Sequence, residues 1–163
     1  MYDQYGQFLY SFVMRILRSV DEAEDVVQEV FLQMWSKAKT YEQGKGTVYT
    51  WLVTMTRNRA IDRLRSKDFK MRFHEVDVNA IRLAAESRSS NPHSRTVLSE
   101  EQQIISGTLS QLSLDHQLVL SLAYYEGFSQ SEISRKLNVP LGTVKSRMRK
   151  ALQSMRTMLQ EKM

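Results

Sequence analysis

The sequence predicts an all-α fold: two small helical domains joined by a flexible linker, the C-terminal one containing a helix-turn-helix. Almost every apolar pattern along the chain repeats at 3.6 residues, and none alternates convincingly at two. The stretch 66–98 loses that periodicity, turns polar and contains SRSSNPHS, the composition of an interdomain segment. Residues 129–156 read SQSEISRKLNVPLGTVKSRMRKALQSMR, two short helical patterns around a tight break with bases crowded onto the second. A chain of 163 residues can hold one ordinary domain or two small ones, and the composition shifts divide this one at 1–65, 66–98 and 99–163.

The elements follow in order. A first helix is expected over about Asp3–Arg18, with Leu9, Phe12, Val13, Ile16 and Leu17 inward. A second begins at Asp21, a good cap with Glu24 three residues on, and continues to about Lys37. Gly44 and Gly46 mark a loop. A third helix then runs over about Thr47–Arg65, with Val48, Trp51, Leu52 and Met55 on one side. Within the linker only Val78–Ala85 has weak helical character. Periodicity returns with helices near 100–111, 115–125, 129–137 and 141–160.

In the helix-turn-helix, Ser129 and Glu132 have the spacing of a capping box. Ile133 and Leu137 form one apolar stripe, Asn138 suits the left-handed conformation that ends a helix, and Pro140 can only begin the next. On that next helix Val144, Met148, Ala151, Leu152, Met155 and Leu159 share a face, while Lys145, Ser146, Arg149 and Lys150 project from the opposite arc. Arg147 falls on the border, placed to touch a phosphate or a neighbouring helix. A solvated basic face is the plain alternative, but cap, turn and basic arc together favour DNA binding.

Charge is consistent with that role. The formal net charge is +5 and the isoelectric point about 9.5, which favours an anionic partner without naming it. From Ser129 onward eight bases face only Glu132 and Glu161, whereas residues 1–65 are nearly balanced. With no cysteine, disulfide scaffolds, thiolate metal sites and cysteine nucleophiles are excluded. His74, His93 and His116 are scattered without ligand spacing, and GxSxG, P-loop and HExxH motifs are absent. A non-enzymatic cytoplasmic protein, with no cofactor, no metal and no membrane insertion, is the expectation.

Two N-terminal surfaces invite partners, each with an ordinary structural alternative. On DEAEDVVQEVFLQMW, Val26, Val27, Val30, Phe31 and Met34 cover the buried side. Leu32 falls opposite, among Asp25, Gln28 and Glu29, with Trp35 at the boundary. That suits docking on a basic or helical partner, although acids in a first turn also complement the helix dipole. The segment YEQGKGTVYTWLVTMTRNRAIDRLR mixes Tyr41, Tyr49 and Trp51 with Lys45, Arg57, Asn58, Arg59, Arg63 and Arg65, a composition able to hold single-stranded nucleic acid. Alternatively Trp51 is core and Asp62 pairs with a neighbouring arginine.

Three segments in order, DEAEDVVQEVFLQMW, TWLVTMTRNRAIDRLR and YYEGFSQSEISRKLNVPLGTVKSRMRKAL, resemble the hallmark segments of bacterial RNA polymerase sigma factors of the extracytoplasmic-function (ECF) group. The resemblance covers nearly the whole chain except the linker, and it implies an alternative sigma factor that directs promoter-specific initiation. By that resemblance Asp25, Gln28, Glu29, Leu32 and Trp35 would dock on the clamp coiled coil of the largest subunit of core RNA polymerase. Tyr41, Lys45, Thr47, Tyr49, Arg57, Asn58, Asp62 and Arg63 would read and melt the minus-ten element of promoter DNA, holding an extruded base beside the loop. Thr143, Lys145, Ser146, Arg147, Arg149 and Lys150 would read the minus-thirty-five element, and the same domain would meet the polymerase flap. The linker would thread toward the active centre, and a separate anti-sigma factor would regulate the whole.

Two other readings compete. EISRKLNVPLGTVKSR also resembles the DNA-binding segment of response regulators, but residues 1–65 show no βα alternation for a receiver domain. A helical adaptor whose basic C-terminus binds an acidic protein is the third possibility.

Overall fold

A computed structural model describes residues 2–42, 44, 46–90 and 100–162. Among these the chain is helical and falls into two compact units, Met1–Phe69 and Lys70–Met163. Lys45 and residues 91–98 of the linker lie outside the described residues.

The first unit is built from α1 (Tyr2–Leu17), α2 (Val20–Lys37) and α3 (Val48–Ser66), with one 3₁₀ turn at Ala38–Thr40. Each helix packs on the other two. The core combines Leu9, Val13 and Ile16 of α1 with Ala23, Val26, Val27, Val30 and Met34 of α2 and Leu52, Ala60 and Leu64 of α3. The buried stripe of α3 is Leu52, Thr56, Ala60 and Leu64, displaced from the expected Val48, Trp51, Leu52 and Met55, of which only Leu52 is buried. Thr56 can enter the core because its hydroxyl donates to the Leu52 carbonyl at 2.7 Å, satisfying the polar atom within the helix. The start of α2 also differs from expectation. Arg18 adopts a left-handed φ of 54° that ends α1, so Ser19 rather than Asp21 is the N-cap, although without a side-chain capping bond.

The second unit holds α4 (Phe69–Glu75, crossing the boundary), α5 (Val78–Ser90), α6 (Glu100–Ser110), α7 (Leu114–Tyr124), α8 (Gln130–Leu137) and α9 (Leu141–Lys162). At its centre α7 buries Gln117, Leu118, Val119, Leu120 and Leu122 and packs on α5, α8 and α9. Ser113 caps α7, accepting from the His116 amide.

Helices α4 and α5 form within the segment whose sequence reads as linker. Asp77 caps α5 by accepting from the Asn79 amide at 2.8 Å. Ala85 is buried. On α4, Phe73 lies 5.2 Å from the Phe128 ring, Arg72 donates to the Glu126 carbonyl, and Lys136 donates to the Phe73 carbonyl. These are long-range contacts, and weak local periodicity does not foreshadow them.

Candidate partner and nucleic-acid interfaces

The buried valines and Met34 of α2 turn one arc of that helix inward, which leaves Asp25, Gln28, Leu32 and Trp35 exposed. Leu32 is 72% exposed and Trp35 82%, the highest exposures of any large apolar side chain among the described residues, and the two lie three residues apart on one helix face. Glu29, also expected on this face, instead turns toward α3. Its carboxylate accepts from Arg59 on one oxygen and from Arg63 Nη2 on the other at 2.8 Å. Asp25 stands 3.9 Å from Arg63, and Glu22 pairs with Lys67. Acids at 22, 25 and 29 thus meet bases at 67, 63 and 59, the register of two antiparallel helices one turn at a time. The Arg59 hydrogen bond, with the charges of Arg59 and Arg63, holds the Glu29 carboxyl below its ordinary value against the opposing effect of burial. The same bond raises Arg59. Arg59 was legible only as one base among several.

The minus-ten candidates split into two groups. Tyr41, Thr47 and Tyr49 shape the loop and the start of α3. The Tyr41 hydroxyl donates to the Gly46 carbonyl at 2.8 Å while its ring packs against Trp51 at 5.5 Å. Gly46 has φ 136°, a conformation closed to other residues without strain. Thr47 caps α3, accepting from the Thr50 amide at 3.1 Å. Tyr49, 42% exposed, tilts against Tyr5 and Phe8 of α1. The remaining candidates lie along α3, where Asn58 and Asp62 are exposed and Arg57 and Arg63 are half-buried. Trp51 is half-buried beside the loop rather than fully in the core.

The helix-turn-helix has the geometry its residues predict. Both bonds of the capping box form: the Glu132 amide donates to Ser129 Oγ at 3.2 Å, and the Ser129 amide to Glu132 Oε2 at 2.6 Å. Asn138 takes φ 52° and ψ 47°, and the Ser134 hydroxyl donates to the Val139 carbonyl, closing the turn. Pro140 accepts from the Thr143 and Val144 amides and so caps α9. Val144, Met148 and Ala151 are buried. Leu152, expected on that face, is 43% exposed, because it lies a quarter-turn around from the Val144–Met148–Ala151 line.

On the opposite arc Lys145, Arg149 and Lys150 are exposed, while Thr143 and Ser146 are half-buried. Arg147 turns to a neighbouring helix, its Nη2 lying 2.8 Å from Asp115 Oδ2 on α7. Asp115 Oδ1 takes Arg82 of α5 at 3.2 Å. Among the described residues no His, Asp and Glu cluster could hold a metal ion, and no helix is long and apolar enough to cross a membrane.

The chain is similar in sequence to known proteins. The Sigma-70 region 2 family matches residues 1–70 and Sigma-70 region 4 matches residues 108–157. The ECF RNA polymerase sigma factor SigK of Mycobacterium tuberculosis (strain ATCC 25618 / H37Rv) is 34% identical over 158 residues, covering 97% of this chain and 83% of that protein. SigK of Mycolicibacterium vanbaalenii is 31% identical, covering 97% of this chain and 79% of its own. Among solved structures, the sigma factor RpoE in complex with the anti-sigma factor NepR from Bartonella quintana is similar at 21% identity and a TM-score of 0.37, over 98% of each chain. With both sigma regions matched in order and 97% of the chain aligned to these relatives, the chain belongs to the ECF RNA polymerase sigma factors, which direct promoter-specific transcription initiation.

Proposed function

We propose that the work of initiation is divided among three faces of this chain. The exposed arc of α2, Asp25, Gln28, Leu32 and Trp35, docks on the clamp coiled coil of the core polymerase largest subunit. The observation that carries this is the near-complete exposure of Leu32 and Trp35 on a helix whose other arc is closed by five buried residues. Apolar anchors ringed by polar residues are the usual centre of a protein interface.

Helix α3 and the loop before it read and open the minus-ten element. Asn58, Asp62 and Arg57 face the strand, while Tyr41, Thr47 and Gly46 hold the loop in shape for an extruded base. Unstacking that base costs a few kcal/mol, offset by stacking and hydrogen bonds in the pocket. Helix α9 lies in the major groove of the minus-thirty-five element, with Thr143, Lys145, Ser146, Arg149 and Lys150 toward DNA, and its domain meets the polymerase flap. With few reading residues on each face, the free chain binds DNA weakly, and polymerase is needed to seat both units on one promoter.

The chain acts without chemistry of its own, in the cytoplasm where polymerase works, and a separate anti-sigma protein regulates it by covering these faces. The test is reconstitution: purified chain added to core polymerase is expected to initiate at discrete genomic promoters in vitro. DNA binding without initiation on any promoter would overturn the assignment in favour of a stand-alone regulator.

A further inference from the structure

One carboxylate stands between two arginines beside the proposed DNA-reading helix. Asp115, in the first turn of α7, gives one oxygen to Arg147 of α9 at 2.8 Å and the other to Arg82 of α5 at 3.2 Å. Arg147 shares its helix with the exposed cations Lys145, Arg149 and Lys150, yet its own side chain is only 25% exposed. All three members of the cluster retain contact with water, so the pairing is of the modest, exchangeable kind. Of the four bases at 145–150 it leaves three, Lys145, Arg149 and Lys150, turned outward.

We propose that Asp115 is a positioning residue for DNA recognition: it holds Arg147 off the phosphate backbone and so limits sequence-blind affinity. The inference rests on α9 being the DNA-reading helix. A cation on a phosphate adds affinity equally at every sequence, so it does nothing for the choice of promoter and strengthens competition from all other DNA. Holding one arginine on an internal carboxylate moves the balance toward the base-reading residues. The same pairing sets the rotation of α9 against α7, which fixes where Ser146 and Arg149 project.

The test uses the full chain and a fluorescent random-sequence duplex, with anisotropy followed over a salt series. Asp115→Asn is expected to bind several-fold more tightly at low salt and to steepen the logarithmic salt slope by about 0.9, the signature of one further phosphate contact. Adding Arg147→Gln to it should return the slope to that of the wild type. Glu161→Gln, which removes one negative charge at the far end of α9, should leave the slope unchanged. A folded Asp115→Asn chain with the wild-type slope would overturn the proposal. So would a gain that survives in the double variant, or an equal gain in Glu161→Gln. Loss of helical signal in both Asp115→Asn and Asp115→Ser would show that Asp115 holds the fold instead. Lys150→Gln tests the underlying reading separately: a shallower slope supports α9 on DNA, and no change removes that role and the proposal with it.

Discussion

The Glu29 carboxylate of α2 accepts a 2.8 Å hydrogen bond from Arg63 of α3, with Arg59 bonded to its other oxygen. Two helices proposed to serve different partners, polymerase and promoter DNA, are therefore tied by charge as well as by their shared apolar core. Glu22, Asp25 and Glu29 of α2 pair in turn with Lys67, just past the end of α3, and with Arg63 and Arg59 on it.

Glu29→Gln should lower stability by an amount that depends on pH. The folded-state carboxyl sits below its ordinary value of 4.5, chiefly through the Arg59 hydrogen bond. A depressed acid contributes stability that is full above its unfolded pKa and is lost as pH falls through the folded one. The wild type should therefore exceed the variant by about 0.5–1 kcal/mol at neutral pH, the partial exposure of the pair screening anything larger. The gap should close once pH falls below the carboxylate range. Urea unfolding at neutral and acidic pH measures it, and a gap independent of pH would remove the ion pair as its cause.

Leu32→Asp with Gln28→Ala should weaken polymerase association in a pull-down by at least tenfold, the loss of about 1.4 kcal/mol expected on removing an interface anchor. Both side chains are exposed, so the melting temperature should stay within a degree or two of the wild type. Undiminished capture by polymerase would show that the docking face lies elsewhere.

What could be read from the chain alone divides along physical lines. The cap and turn of the helix-turn-helix were legible because a capping box, a left-handed Asn138 and Pro140 are local devices whose meaning does not depend on distant packing. Most of the core stripe of α2 was legible for the same reason, as period sets it, although Phe31 is only half-buried and Ala23 also enters the core. Thr56 and Ala60 were missed on α3 because a threonine hydroxyl satisfied within its own helix counts as polar in a sequence pattern. Helix α4 was missed because its reasons lie on Phe128, Glu126 and Lys136, more than fifty residues away. Among the site residues, Glu29 leaves the expected outer face for Arg59 and Arg63 of α3, and Arg147 takes Asp115; both partners are a property of tertiary packing.

Asn138→Val should destabilise the C-terminal unit by about 1–2 kcal/mol, the cost of a branched side chain at the left-handed φ of 52°. Asn138→Gly should be tolerated, since glycine adopts that conformation without a Cβ clash. Thermal melts of the full chain compare the two. Equal melting temperatures for the valine and glycine variants would mean that the turn relaxes into another conformation.

Arg149→Ala should alter promoter choice at the upstream element while leaving the fold intact. Arg149 is exposed and follows buried Met148 on α9, so its removal opens no cavity. An arginine bidentate to a guanine is worth about 1–3 kcal/mol of discrimination. The preferred upstream sequence should therefore lose roughly five- to 150-fold of its advantage over a variant at one base pair, with other positions little changed. In vitro transcription from a library of upstream-element variants gives the ranking directly. A uniform fall across the library would instead make Arg149 a phosphate contact, which also predicts a shallower salt dependence. An unchanged ranking at unchanged strength would take Arg149 off the DNA altogether.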